Sequence, residues 1–316
     1  MLKIILSCAV TAIILTAGYA TLAGYLLGNY LVEFGLEREG TKPPMACNLI
    51  MPEEWREYDE PAYFNERWHT KSYDNLELKA THFFPDGEDG HNWAIVVHGY
   101  GCTEENSWYI ANTYLAWGYH VLTPNLRASG DSEGKYLTLG YKESRDILQW
   151  ANEVVRYDNK ARIVLHGVSM GAVGVMLAVA APEVNPQITA CIEDSGYTSA
   201  YHLLALKLEE SFSLPAFPAM NFVNWRTKRR ADFSLYAADP LSVMHRVKTP
   251  ILFIHGAKDI LVPPYMADLL YNACQSPTKD IFIAENSLHG VACQMDEEQY
   301  YAKVHDFLRP FMYPPD

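Results

Sequence analysis

The sequence predicts an α/β fold built on a mostly parallel, doubly wound sheet. Three observations predict it. Short, uniformly apolar runs recur at 94–97, 121–122, 163–165, 188–192, 251–254 and 281–284. Uniform rather than alternating apolarity suits strands covered on both faces, as parallel strands are. Stretches of helical character lie between these runs, at 107–117, 141–155, 170–180, 264–273 and 297–311, and such alternation winds a sheet with helices on both sides. The third observation is the pentapeptide Gly167-Val168-Ser169-Met170-Gly171, which joins the run at 163–165 to the small-residue helix that follows. Strand, G-x-S-x-G, helix is a sharp turn that holds a serine hydroxyl out from the backbone. Its glycines leave room where the turn is tightest.

The bulk properties set limits. The chain has 316 residues, of which 49% are hydrophobic, enough for one large domain with a full core. A formal charge of −13 argues against a nucleic-acid partner. The six cysteines show no C-x-x-C pair and no metal-ligand spacing, and are read as mostly free thiols. H-E-x-x-H, P-loop and full G-x-G-x-x-G patterns are absent, so no metal and no cofactor is expected.

In chain order, Lys3 precedes an uncharged run at 4–32. At about 1.5 Å per residue, about twenty such residues span a bilayer core. Residues 1–36 therefore read as an uncleaved membrane anchor, with a cleaved signal peptide as the rival. The positive-inside tendency places the N-terminus in the cytoplasm and the remainder outside. Gly24 and Gly28 form a G-x-x-x-G that lets two anchors pack closely, or are simply small residues of a spanning segment. Residues 37–64, with Pro43, Pro44, Pro52 and Pro61, read as a linker. From 65 to 316 the chain reads as one domain. It opens with an antiparallel hairpin, 67–73 and 76–84, turning at Asp74-Asn75. At 199–245 the strand–helix rhythm breaks. Leu203, Leu204, Phe212, Phe217, Phe222 and Trp225 lie there without a strand, as expected of a helical cap inserted over the site. The basic residues Arg226, Lys228, Arg229 and Arg230 are either a solvated face of that cap or a surface for anionic groups.

A serine hydroxyl is a weak nucleophile at neutral pH. It needs a base within hydrogen-bond reach and a carboxylate to orient the base. On this architecture both follow later strands. Asp259 follows the run at 251–254 in "HGAKDILVP", and His289 follows the run at 281–284 in "ENSLHG". Asp194, in "IEDSGYTS", is the rival carboxylate. Of the eleven histidines, His98, His166 and His255 sit at strand ends beside glycine and suit backbone hydrogen bonds. Two N–H donors are needed for the oxyanion. Met170, next after the serine, is one; Tyr100 in "HGYGCTEEN" is the other, with Gly101 as alternative. Cys102, beside that loop, has no base at a matching position and reads as a packing residue.

"VVHGYG", "PNLRASGDSEG", "GVSMG", "IEDSGYTS", "PILFIHGAKD" and "LHG" together resemble the α/β-hydrolase superfamily, more narrowly its membrane-anchored bacterial serine hydrolases of lysophospholipase-like or serine-aminopeptidase-like type. The resemblance covers roughly 65–312. It implies an α/β-hydrolase fold, Ser169 as nucleophile, His289 as general base, Asp259 as orienting acid, and an oxyanion hole of Tyr100 and Met170 N–H groups. Where relatives often read D-x-R-G-x-G-x-S, this chain has Asn125 and Ala128 in place of the acid and the glycine, and the loop reads as structural. The expected activity is hydrolysis of a carboxylic ester with an apolar acyl or aryl group, suggested by the aromatic cap. A peptidase using the same residues, and a catalytically silent binding protein on the same fold, are the alternatives.

Overall fold

The computed structural model describes residues 2–38, 59–87 and 90–313. One mixed sheet of eight strands carries the molecule, in the order β1-β2-β4-β3-β5-β6-β7-β8. β1 (Asn65–Lys71) and β2 (Glu77–Phe83) form the expected hairpin, with Asn75 at φ 68° in its turn. β2 pairs antiparallel to β4 (His120–Asn125), and from there every pairing is parallel: β3 (Asn92–Val97), β5 (Arg162–Val168), β6 (Ile188–Asp194), β7 (Ile251–Gly256) and β8 (Lys279–Ala284). β4 is longer than its apolar run. Pro124 lies inside it, opposite Ala80 of β2.

Five helices lie where the sequence places them, α2 (Trp108–Ala116), α3 (Tyr141–Tyr157), α4 (Met170–Val179), α7 (Tyr265–Ala273) and α9 (Glu297–Met312), and the short α8 (Ala292–Met295) is an addition. One core, with Trp93, Ile95, Leu165 and Val173, lies between the sheet and α3 and α4. The other, with Val96, Tyr114, Ile192 and Val304, lies under α2 and α9. β3, β4 and β7 are buried along their whole lengths, as continuous apolar strands require. Within 199–245 two helices stand, α5 (Ala200–Phe212) and α6 (Ala216–Ala231), and Ser199 caps α5 by accepting from the His202 N–H.

The N-terminal segment departs from the picture of an anchor set apart by a linker. α1 (Leu2–Tyr30) continues without a break into a π-helical turn, Leu31–Leu36. The stretch Leu6–Leu36 is long and apolar enough to cross a membrane. Its last part packs inside the molecule. Val32 and Leu36 are fully buried in a third apolar cluster with Leu208, Met220, Val223 and Phe233 of the cap. Gly24 and Gly28 serve this contact, a use that neither reading of the G-x-x-x-G foresaw. A Cβ at Gly24 would stand 2.8 Å from Phe222 Cβ, and one at Gly28 would stand 2.9 Å from Arg226 Cβ. The chain then crosses to the body: the Leu137 N–H donates to Leu36 O (2.9 Å) and the Arg38 N–H to Lys135 O (2.8 Å). Much of the expected linker, 39–58, lies outside the described residues.

The basic residues of α6 also find partners here. The Arg226 guanidinium donates to Asn29, and Arg230 lies 3.5 Å from Glu33 and 3.6 Å from Glu37. Lys228 and Arg229 stay exposed.

Candidate active site

β5 ends at Val168 and α4 begins at Met170, so Ser169 alone makes the turn. Its φ of 57° and ψ of −115° lie in a sparsely populated region, at a cost of about 1–3 kcal/mol that the surroundings must offset. Those surroundings admit no side chain at either flanking glycine: a Cβ on Gly167 would strike the Gly171 backbone, and one on Gly171 would strike the Val97 carbonyl. The Ser169 N–H donates to Asp194 O at 2.8 Å and is thereby occupied. Met170, as the first residue of α4, presents an N–H with no acceptor inside its own helix.

His289 comes from the loop between β8 and α8, Asp259 from the loop after β7. The fold brings them to Ser169. His289 Nε2 is 2.8 Å from Ser169 Oγ, and His289 Nδ1 is 2.6 Å from Asp259 Oδ2. Asp259 Oδ1 accepts the N–H groups of Leu261 (2.8 Å) and Val262 (2.9 Å). Burial alone would raise the Asp259 carboxyl, but hydrogen bonds from His255 and His289 outweigh it and hold the group well below the ordinary carboxylate range. The result is a buried carboxylate with a full set of donors.

His255 does more than the backbone bonding that its place beside glycine suggests. Its Nε2 lies 2.9 Å from Val262 O and also 3.1 Å from Asp259 Oδ2. Asp259 is therefore held between two histidines. The rival carboxylate, Asp194, is engaged elsewhere. It accepts from the Ser195 hydroxyl (2.8 Å) and the Tyr300 hydroxyl (3.0 Å), and Ser195 Oγ in turn accepts the Gly290 N–H (3.1 Å) beside His289. His166, also expected to bond backbone, instead lies between Tyr114 (3.0 Å) and Tyr300 (2.8 Å).

The loop after β3 abuts the serine turn: a Cβ on Gly99 would sit 3.3 Å from Ser169 Cβ. His98 braces that loop from below. Its Nδ1 donates to Gly99 O (2.8 Å) and its Nε2 accepts the Leu126 N–H (3.1 Å). Complete burial lowers His98 to about 4, so it is neutral at pH 7. The Leu126 partner explains the 125–132 loop. Asn125 bonds Glu104 and Asp131, and Arg127 is sandwiched between Asp74 and Asp146, so the loop is a scaffold.

Ser169 and His289 open on a cavity of about 470 Å³. Tyr100 lines it and Gly101 does not. Two expectations need correction here. Among the described side chains the cap contributes Ala200, Leu203, Leu204 and Lys207 of α5 to the cavity, and none of its aromatics. Phe217 and Trp225 are exposed, and Phe222 faces Gly24. Spacing could not reveal this, because an aromatic side chain buries equally well against any apolar neighbour. Cys102 also lines the cavity but is disulfide-bonded, not a free packing thiol, whereas Cys8, Cys191, Cys274 and Cys293 are free. Cys47 lies outside the described residues.

Residues 107–312 match the prolyl oligopeptidase family of peptidases. The chain belongs to that family. The prolyl oligopeptidase match covers the serine turn, Asp259 and His289 together. With the mixed eight-stranded sheet it makes this protein a serine hydrolase of the α/β-hydrolase superfamily. Among full-length relatives, the protein YqkD of Bacillus subtilis is 29% identical over 73% of this chain and 75% of its own. The membrane protein YNL320W of Saccharomyces cerevisiae is 24% identical over 62% of each chain. Among solved structures, the Pyrococcus furiosus esterase Pf2001 superposes with a TM-score of 0.66 at 21% identity, over 87% of this chain and 99% of that one. The Pyrococcus horikoshii acylaminoacyl peptidase gives 0.58 at 19% identity, over 80% of this chain and 42% of its own. Both likenesses bear on the fold.

Proposed function

We propose that this serine hydrolase cleaves carboxylic esters through an acyl-enzyme on Ser169. The supporting observation is the unbroken run Ser169–His289–Asp259, at 2.8 and 2.6 Å, opening on a largely apolar cavity. Ser169 Oγ attacks the acyl carbon and His289 Nε2 takes its proton. Asp259 holds the Nδ1–H tautomer and faces the imidazolium as it forms. The carbonyl oxygen, now negative, is met by the Met170 and Tyr100 N–H groups. The C–O bond to the alcohol breaks as His289 returns the proton to the leaving oxygen. Water then attacks the acyl-enzyme, losing its proton to His289, and Ser169 leaves with that proton restored. The substrate is a small-molecule ester with an apolar acyl or aryl group.

We place the protein at a membrane, held by α1, with the catalytic body on the extracytoplasmic side. The uncharged length of α1 supports the anchor, and Lys3 on its N-terminal side supports the orientation. A disulfide at Cys102 suits an oxidising compartment.

The test is steady-state turnover of p-nitrophenyl esters by the full chain in detergent beside Ser169→Ala. Loss of turnover by roughly 10⁴-fold or more in the variant is expected. An equally active variant would overturn the assignment. Cleavage of aminoacyl amides in preference to every ester would replace the esterase reading with a peptidase one.

A further inference from the structure

Three residues of the cavity wall do not come from the catalytic body or from the cap. Leu31, Gly35 and Leu36 belong to the π turn that ends α1. Leu203 and Leu204 of α5, with Leu139 and Leu261, line the same space above Ser169, beside Tyr109, Tyr197 and Lys207. The Tyr100 hydroxyl donates to Gly35 O, tying this wall to the loop beside the serine.

The same helix places the cavity relative to a bilayer. The described side chains from Leu6 to Leu22 are exposed, and burial against the protein begins at Gly24. From Ile4 to Gly24 the helix rises roughly 30 Å, the thickness of a hydrocarbon core. Leu31 then lies only about 11 Å further on, just past a headgroup layer roughly 5–8 Å deep. Around this level Tyr25, Tyr30 and Phe34 of the N-terminal segment and Phe217 and Trp225 of α6 are exposed, beside exposed Lys228 and Arg229. Aromatic and basic side chains together are what a membrane–water interface favours. α1, the π turn and the cavity wall are one continuous piece of chain, with no linker between the buried end and the exposed apolar helix.

We propose that Leu31, Gly35 and Leu36 are specificity-determining residues that form one wall of the acyl site, and that the substrate is an amphiphile with a long apolar acyl chain taken from the bilayer that α1 spans. The proposal rests on Ser169 being the nucleophile. Anchor and acyl pocket are then the same element: the helix that holds the enzyme at the bilayer also measures the chain drawn from it.

The test uses the full chain in vesicles of phosphatidylethanolamine and phosphatidylglycerol, and alkyl fluorophosphonates with ethyl, hexyl and dodecyl chains. These probes phosphonylate a reactive serine with loss of fluoride whether the natural bond is an ester or an amide. The dodecyl-to-ethyl ratio of labelling rates is expected to fall at least about tenfold in Leu31→Trp, which fills the cavity from the α1 side. In Leu31→Ala the dodecyl-to-ethyl ratio is expected to rise. The Ala variant keeps the test open if the larger residue prevents folding. An unchanged dodecyl-to-ethyl ratio in Leu31→Ala would overturn the wall assignment. Absence of labelling at Ser169 in the wild type would overturn the nucleophile itself, a separate failure. Fatty acid released from the vesicles by the wild type and not by Ser169→Ala supports the bilayer as source; no release, with labelling intact, overturns it.

Discussion

Ser169 sits in a backbone conformation that costs energy, and the cost is met because Gly167, Gly171 and the Asp194 carbonyl leave the turn no alternative. Asp259 carries four donors when His255 is included, so its removal should act through His289 rather than through the fold. An amide at 259 that turns its NH₂ toward His289 reverses the tautomer and leaves Nε2 unable to accept a proton. Asp259→Asn is therefore expected to lower kcat by about 10³–10⁴-fold with little change in KM, as read by steady-state kinetics. A variant within tenfold of wild type would show that Asp259 does not orient His289. His98 makes a separate prediction. Its folded value of about 4 lies below the ordinary histidine value of 6.5. The unfolded chain therefore binds the proton first as pH falls, and stability contributed above about 6.5 is lost progressively toward 4. The loss at pH 4 is on the order of 3 kcal/mol. Gln at 98 offers a donor and an acceptor without titrating. Urea unfolding of His98→Gln should show a flatter pH dependence between 6.5 and 4 than wild type, and parallel curves would contradict this.

At the scale of elements, the contact that matters most for function is α1 on α6. It is made possible by Gly24 and Gly28, whose missing side chains let the helices approach until Cβ atoms of α6 fill the gap. Gly28→Leu forces that interface apart, and overpacking of this kind costs about 1–3 kcal/mol. The expected result is a lower melting temperature in detergent together with a weakened preference for long-chain probes, since the π turn follows α1. A lower melting temperature with the chain-length order intact would mean that the cap and the pocket wall are independent. The elements of the body are positioned by a different logic. Asp259, His289, Tyr100 and Ser169 all stand on loops at the carboxyl ends of parallel strands β7, β8, β3 and β5, where a doubly wound sheet gathers its ligands.

Across the whole molecule, the cap, the N-terminal segment and the loop after β3 meet at one cavity, and Cys102 ties that loop covalently. Under non-reducing digestion with alkylation, the peptide holding Cys102 should take up no alkyl group until reductant is added, whereas Cys191, Cys274 and Cys293 should be alkylated on unfolding. Direct alkylation of Cys102 would remove the argument for an oxidising compartment. Much of this molecule was legible in its sequence. Apolar runs declare parallel strands because burial on both faces demands them, and the turn at Ser169 is declared by two glycines because no other residue fits. The order of Ser169, Asp259 and His289 follows from the order of the strands that carry them. What the sequence could not declare is which apolar surface meets which. The hydrophobic effect scales with area and has no direction, so Leu203 and Phe222 read alike although only one faces the cavity. The uncharged run at 4–32 looks like a membrane span throughout, although its last turns are buried in the protein. Asp194 ends one apolar strand and Asp259 lies in the loop just past another; only the three-dimensional path of the loops gave Asp259 to His289 and Asp194 to Tyr300. Local spacing determined the chemistry available to this chain, and long-range packing decided the space in which it acts.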